Sequence, residues 1–260
     1  MTGRLGIVGA TGWLGQALGL NLLRQGWPAG DLVLMNRSGS RAAYDGHPVV
    51  WARDMGHMFD LCDTVVLSVR PEDFPVPGFA PGGQLLISFM AAVPAARLQS
   101  LAPRARIVRA MPNGGAPVGQ SYTPWCAGDL SDADVALTRR ILSAIGTEDR
   151  VASEDQLDIL SAISGSGSAY PALMAQAMLD SARGFGLPED VALRAVESVI
   201  CGSAPFLAGK LSETASIIEA YKSYRGITAA GLDAATGAGF EDAVKTALAA
   251  AVAKARSMGR

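Results

Sequence analysis

Leu5–Gly6–Ile7–Val8 runs directly into Gly9–Ala10–Thr11–Gly12–Trp13–Leu14–Gly15. The first four residues form a short unbroken apolar run, as in a strand covered on both faces in a parallel sheet. Leu14, Leu18, Leu22 and Leu23 then recur at helical spacing, so the glycines fall between a strand and a helix. Glycine at such a turn lets the backbone approach a pyrophosphate, and the helix start supplies free N–H donors and partial positive charge. The spacing is Gly-x-x-Gly-x-x-Gly, one residue longer in its first interval than the usual dinucleotide fingerprint. A turn that only packs a helix on a sheet also uses glycine, but the placement at the end of a first strand favours a ligand.

The same pattern repeats outward from this stretch. Leu32–Met35, Thr64–Val69, Gln84–Phe89 and Arg106–Ala110 are further short apolar runs separated by helical segments. Repeated βαβ units predict a doubly wound α/β domain with a mostly parallel sheet, of the Rossmann type. After about residue 150 the chain turns rich in Ala, Leu and Met, predicting helices over 154–163, 169–184, 188–208 and 239–257. We therefore expect a Rossmann domain over residues 1–152 and an all-α domain over 153–260. Gly186–Leu187–Pro188 punctuates the second half, and Ser153–Glu154–Asp155 offers an N-cap with an acidic first turn.

Composition narrows the function. The 260 residues carry 22 Lys and Arg against 24 Asp and Glu, a net charge of −2, which gives no electrostatic footprint for nucleic acid or an anionic membrane. Only 18% of residues are charged while 49% are hydrophobic, so the chain buries a large core or hides surface in an oligomer. Cys62, Cys126 and Cys201 are widely spaced, and His47 and His57 lie apart from any thiol or carboxylate pattern, so no metal site is expected. The uncharged stretches 110–128 and 159–179 are broken by proline and glycine and do not read as lipid-facing helices. The start of the chain shows no signal-peptide pattern, and a cytoplasmic protein is expected.

The end of the second strand selects the dinucleotide. An acid there binds the ribose 2′-hydroxyl of NAD, whereas this chain reads Asn36–Arg37–Ser38–Gly39–Ser40–Arg41. Two guanidiniums with hydroxyls suit a 2′-phosphate, so NADP(H) is favoured over NAD(H). Ser68–Val69–Arg70–Pro71 and Arg109–Ala110–Met111–Pro112–Asn113 follow later strands at the edge where such folds collect ligands.

Taken in order, GIVGATGWLG, NRS, VRP, the strand end at Ser88–Val93, RAMPN, Ser164–Tyr170 (SGSGSAY) and Gly226–Leu232 (GITAAGL) resemble the pyrroline-5-carboxylate reductase family. The resemblance spans Gly6 to about Ser257, and RAMPN and SGSGSAY are its most specific parts. It implies NADPH-dependent hydride transfer to the C=N bond of a cyclic imine, with proline the usual product. It also implies a homodimer intertwined through the C-terminal helices, or a higher oligomer built from it. By position it gives Gly9, Thr11, Gly12, Trp13, Leu14 and Gly15 to the pyrophosphate, and Asn36, Arg37 and Ser38, with Arg41 nearby, to the 2′-phosphate. Val69, Arg70, Pro71, Ala91, Ala92 and Asn113 fall on the nicotinamide side. Ser166, Ser223, Tyr224, Arg225, Gly226, Ile227 and Thr228 fall to an imine carboxylate substrate, with Thr228 the catalytic hydroxyl beside its nitrogen.

The departures from the family pattern are local. The family's GxGxxA loop is longer and bulkier here, its VKP lysine is Arg70, and its SGSGPAY proline sits later, at Pro171. A pattern like SPGGTT reads Ser223–Tyr224–Arg225–Gly226–Ile227–Thr228, exchanging a small rigid pair for a ring and a guanidinium. From this we expect pyrroline-5-carboxylate itself to be a poor substrate and a differently shaped imine to be preferred. Two other readings remain open on sequence. One is a non-catalytic NADP(H)-binding sensor, which has no need of SGSGSAY or Thr228. The other is an NADP-dependent dehydrogenase of another small acid, whose usual catalytic lysine on a long helix has no clear counterpart here, Lys222 being the one residue left open. The Tyr-x-x-x-Lys pair of short-chain dehydrogenases is absent, since Tyr44, Tyr122, Tyr170, Tyr221 and Tyr224 are followed four residues on by Pro48, Cys126, Met174, Arg225 and Thr228.

Overall fold

The computed structural model describes residues 3–258. The first half alternates strands with helices on both faces of one sheet. In chain order these are β1 (Leu5–Val8), α1 (Trp13–Arg24), β2 (Leu32–Met35), β3 (Val50–Trp51), α2 (Met55–Leu61) and β4 (Thr64–Leu67). There follow β5 (Leu85–Ser88), α3 (Ala95–Leu101), β6 (Arg106–Ala110), β7 (Ser121–Ala127), α4 (Asp132–Leu142) and β8 (Gly146–Arg150). The eight strands lie in the order β3-β2-β1-β4-β5-β6-β7-β8. All pairs are parallel except β6–β7, which is antiparallel.

The strands divide their side chains between two cores. Ile7, Leu34, Val66, Ile87 and Val108 face one, beneath Leu18 and Leu22 of α1. Val8, Val33, Leu67, Leu86 and Ile107 face the other, with Met55, Met58 and Phe59 of α2. Burial on both faces is why these strands are apolar throughout, and why the sequence marks them.

Three strands escape that signal. β3 has only two half-buried residues. β7 carries Pro124 in its middle, and β8 is Gly–Thr–Glu–Asp–Arg, largely exposed. Trp125 anchors this added edge, fully buried, its indole N–H donating to Glu148 Oε2 at 2.5 Å.

The second half is helical: α5 (Glu154–Leu160), α6 (Ala169–Gly184), α7 (Glu189–Ile200), α8 (Ala204–Leu207), α9 (Thr214–Ser223), α10 (Ile227–Gly237) and α11 (Phe240–Met258). The single helix expected over 188–208 is two, because the chain turns tightly at Gly202. A Cβ there would lie 2.3 Å from the Ser198 carbonyl oxygen, and Pro205 opens α8. Pro171 sits in the first turn of α6, where its missing N–H costs no helix bond.

Residues 3–167 with 251–258 form one compact unit, and 168–250 a second. The division falls later than the change of composition near 152. α5 explains this, for Leu157 is fully buried against Met111 and Cys126 of the sheet unit. Arg256, near the end of α11, pairs with Asp155 at 2.7 Å. The 168–250 unit holds little core of its own. Ala192, Val196 and Ala229 are buried, whereas α6, α8, α9 and α11 have no buried residue. Leu173, Phe185, Leu211 and Ile227 are exposed.

Candidate functional site

β1 and β4 are neighbours whose chain connections run to opposite sides, which opens a crevice at their carboxyl ends. The glycine loop forms its floor. Gly9 and Ala10 donate their N–H groups to the Met35 carbonyl oxygen at 2.8 and 3.0 Å, tying the loop to the end of β2. Gly9 has φ 82°, and a Cβ on it would lie 2.1 Å from the Ser68 carbonyl oxygen. A Cβ at Gly15 would lie 2.3 Å from the Gly9 carbonyl oxygen. Both positions therefore admit only glycine. Gly12 is the extended N-cap of α1, where no side chain caps the helix and no acid lies in the first turn. The donors at Trp13, Leu14 and Gly15 are thus left for an anion.

Tyr44, which belongs to none of the sequence motifs, supports this loop from beneath. Its hydroxyl donates to the Ala10 carbonyl oxygen at 3.0 Å, and burial raises its pKa well above the ordinary tyrosine value, which keeps the proton in place. Its ring fills the space that a Cβ on Gly19 would occupy. A glycine on the buried face of α1 was the available signal.

The crevice has a volume of about 680 Å³, within the range of pockets that hold cofactors. Gly9, Thr11, Gly12, Asn36, Arg37, Ser38, Val69 and Arg70 line it, as does Arg53, which no sequence motif marks. Asn36 folds its own loop, donating to the Ser40 carbonyl oxygen and accepting from the Gly39 N–H at 2.9 Å. Arg37 lies 2.8 Å from Asp73, and Arg41 is turned onto the Trp51 ring, 5.3 Å from its centre. An uncapped helix start and three guanidiniums around one crevice suit a phosphorylated dinucleotide.

The remaining loops of this unit lie at the ends of β4, β5 and β6. Pro71 opens a short turn over Pro71–Asp73. Ala91 is exposed, and Ala92 holds left-handed backbone with φ 62°. Asn113 accepts the Gly115 N–H and donates its own N–H to Ser121 Oγ. Arg109 is buried and paired with Glu154 Oε1 at 2.5 Å, a carboxylate that also accepts the Ala95 N–H. Ser161–Gly165 forms a π-turn closed by the Ser166 N–H on the Ser161 carbonyl oxygen. Burial pushes the Cys62 and Cys126 thiols up to about 12 and about 11, which keeps both protonated and weakly nucleophilic. Among the described residues no three His, Cys, Asp or Glu side chains gather in metal-binding fashion.

In the 168–250 unit the candidate residues meet at the turn between α9 and α10. Ser223 ends α9, its hydroxyl donating to the Ala220 carbonyl oxygen. Tyr224 is exposed, and Arg225 takes left-handed backbone with φ 50°. Gly226 is the extended N-cap of α10, uncapped by any side chain, and Ile227 and Thr228 form its first turn. Lys222 pairs with Asp233 at 3.0 Å, bracing the turn.

Comparison with known proteins decides the family. The chain is 30% identical over 268 residues to a pyrroline-5-carboxylate reductase of Synechocystis, covering the whole of both chains. This chain belongs to the pyrroline-5-carboxylate reductase family. Residues 154–258 match the family model described as pyrroline-5-carboxylate reductase dimerisation. A pyrroline carboxylate reductase of Plasmodium falciparum, solved with NADP bound, has a similar fold, with a TM-score of 0.84 at 24% identity over 99% of this chain and 98% of that one. A 1-pyrroline-5-carboxylate reductase of Streptococcus pyogenes gives 0.85 at 25% identity over 98% of each.

Against the reductase family pattern, Arg225 is the departure with a visible backbone consequence. It stands where the family's SPGGTT pattern has glycine, and it holds a conformation that glycine adopts without strain. Among the described residues no single helix is long and apolar enough to cross a membrane. The exposed apolar side chains of α6, α8 and α9 lie within the segment that matches the dimerisation model.

Proposed function

We propose that this protein is an NADPH-dependent reductase of a cyclic imine that carries a carboxylate, either pyrroline-5-carboxylate or a related ring. The full-length match to a named pyrroline-5-carboxylate reductase carries the reading. The crevice supports it, because its donors suit the cofactor and no acid follows β2 to select NAD. NADPH, when bound, supplies the hydride. The first turn of α1 holds the pyrophosphate, and Arg37 with Ser38 holds the 2′-phosphate. Val69, Arg70, Ala91, Ala92 and Asn113 border the nicotinamide.

The uncapped start of α10 offers N–H donors to the substrate carboxylate, and the Thr228 hydroxyl hydrogen-bonds the imine nitrogen as it gains its proton. Tyr224 and Arg225 decide which imine fits. The helical segment pairs two copies of the chain, and a cytoplasmic location is part of the same proposal. NADPH consumption across a panel of cyclic imines, with and without carboxylates, tests the reading. Turnover confined to carboxylate-bearing imines is expected, and no turnover with any imine contradicts it.

A further inference from the structure

The proposed cofactor site contains an anion of its own. Arg37, assigned above to the 2′-phosphate, has its Nη1 2.8 Å from Asp73 Oδ1. The pair joins the loop after β2 to the turn after β4, across the end of β1, and both side chains line the crevice. Arg37 is 84% exposed and Asp73 36%, so water and ligand both reach the pair. Asp54, the other carboxylate of the crevice, already caps α2 by accepting the His57 N–H at 2.8 Å. Arg53 lines the same space, and its guanidinium has no ion-pair partner among the described residues.

We infer that Asp73 is a specificity-determining residue that competes with the adenosine 2′-phosphate for Arg37 and so limits the preference for NADPH over NADH. The inference rests on the cofactor reading above. A phosphate entering this corner either displaces Asp73 from Arg37 or lies close to its carboxylate, and like charges at such distances repel. NADH brings only a hydroxyl, which a carboxylate accepts without penalty. The familiar rule looks for this acid at the end of β2. Here it comes from another strand, so one loop favours the phosphate while its neighbour opposes it.

Direct binding of NADPH and NADH to Asp73→Asn, followed by cofactor fluorescence, tests the inference. At low ionic strength NADPH is expected to tighten roughly 3–10-fold, the scale of one exposed ion pair plus removal of a screened repulsion. NADH is expected to change by less than about twofold, and the NADPH gain to shrink at high salt. Glu72→Gln removes a charge one residue away, where the carboxylate is 3.8 Å from Arg70, and is expected to leave the ratio unchanged. Unchanged or weaker NADPH binding in Asp73→Asn, equal tightening of both cofactors, or an equal effect from Glu72→Gln would overturn the inference alone. Wild-type protein that binds neither dinucleotide contradicts the cofactor reading itself.

Discussion

Arg225 adopts φ 50°, a region that costs an L-residue with a Cβ roughly 1–2 kcal/mol. Arg225→Gly is therefore expected to raise stability by about 0.5–1 kcal/mol, once the larger entropy loss of glycine is subtracted. Thermal unfolding at fixed protein concentration measures this. The neighbouring Tyr224 has φ −69°, which proline adopts readily. The double change Tyr224→Pro with Arg225→Gly is expected to move relative kcat/KM towards pyrroline-5-carboxylate by about 10–200-fold, the reach of one pocket contact. Equal ratios before and after would remove these residues from substrate selection. Thr228→Ala is expected to lower turnover by about 10–1,000-fold, the usual loss for one proton donor or transition-state hydrogen bond, with NADPH affinity unchanged. Unchanged turnover would leave water as the proton source.

Between elements, the Arg109–Glu154 pair joins β6 to the first turn of α5. Arg109 is 4% exposed, so Glu154→Ala strands a buried charge and also frees the Ala95 N–H. A fully buried pair broken this way costs roughly 3–5 kcal/mol. Because Glu154 is 39% exposed, the expected loss is about 2–3 kcal/mol, read as a lower urea midpoint at constant slope. A shift below about 0.5 kcal/mol would show that water replaces the carboxylate. Legibility follows the same physics. β1, β2 and β6 begin and end where their apolar runs do, since both faces are buried, whereas polar β8 and proline-bearing β7 leave no such trace. The glycine loop is readable because a local turn imposes its needs on consecutive residues. Arg53 and Asp73 are not, because strand order alone brings their loops to the crevice.

For the whole molecule, residues 168–250 leave Leu173, Phe185, Leu211 and Ile227 in water when the chain stands alone. Exposed apolar side chains within a segment that matches a dimerisation model point to an interface. Light scattering is expected to give twice the 26.8 kDa chain mass or a multiple of that, with a subunit interface well above about 2,000 Å² as obligate dimers show. A stable, active monomer at micromolar concentration would contradict it. In the proposed reaction hydride passes from NADPH to the carbon of a C=N bond. The most direct measurement supplies cofactor deuterated on the transferring face of its nicotinamide C4 and determines the product by mass and NMR, using the best imine of the panel. One deuterium on the former imine carbon, matched mole for mole by oxidised cofactor, is the expected result. Product without deuterium, or cofactor unchanged in the presence of every imine, would contradict it.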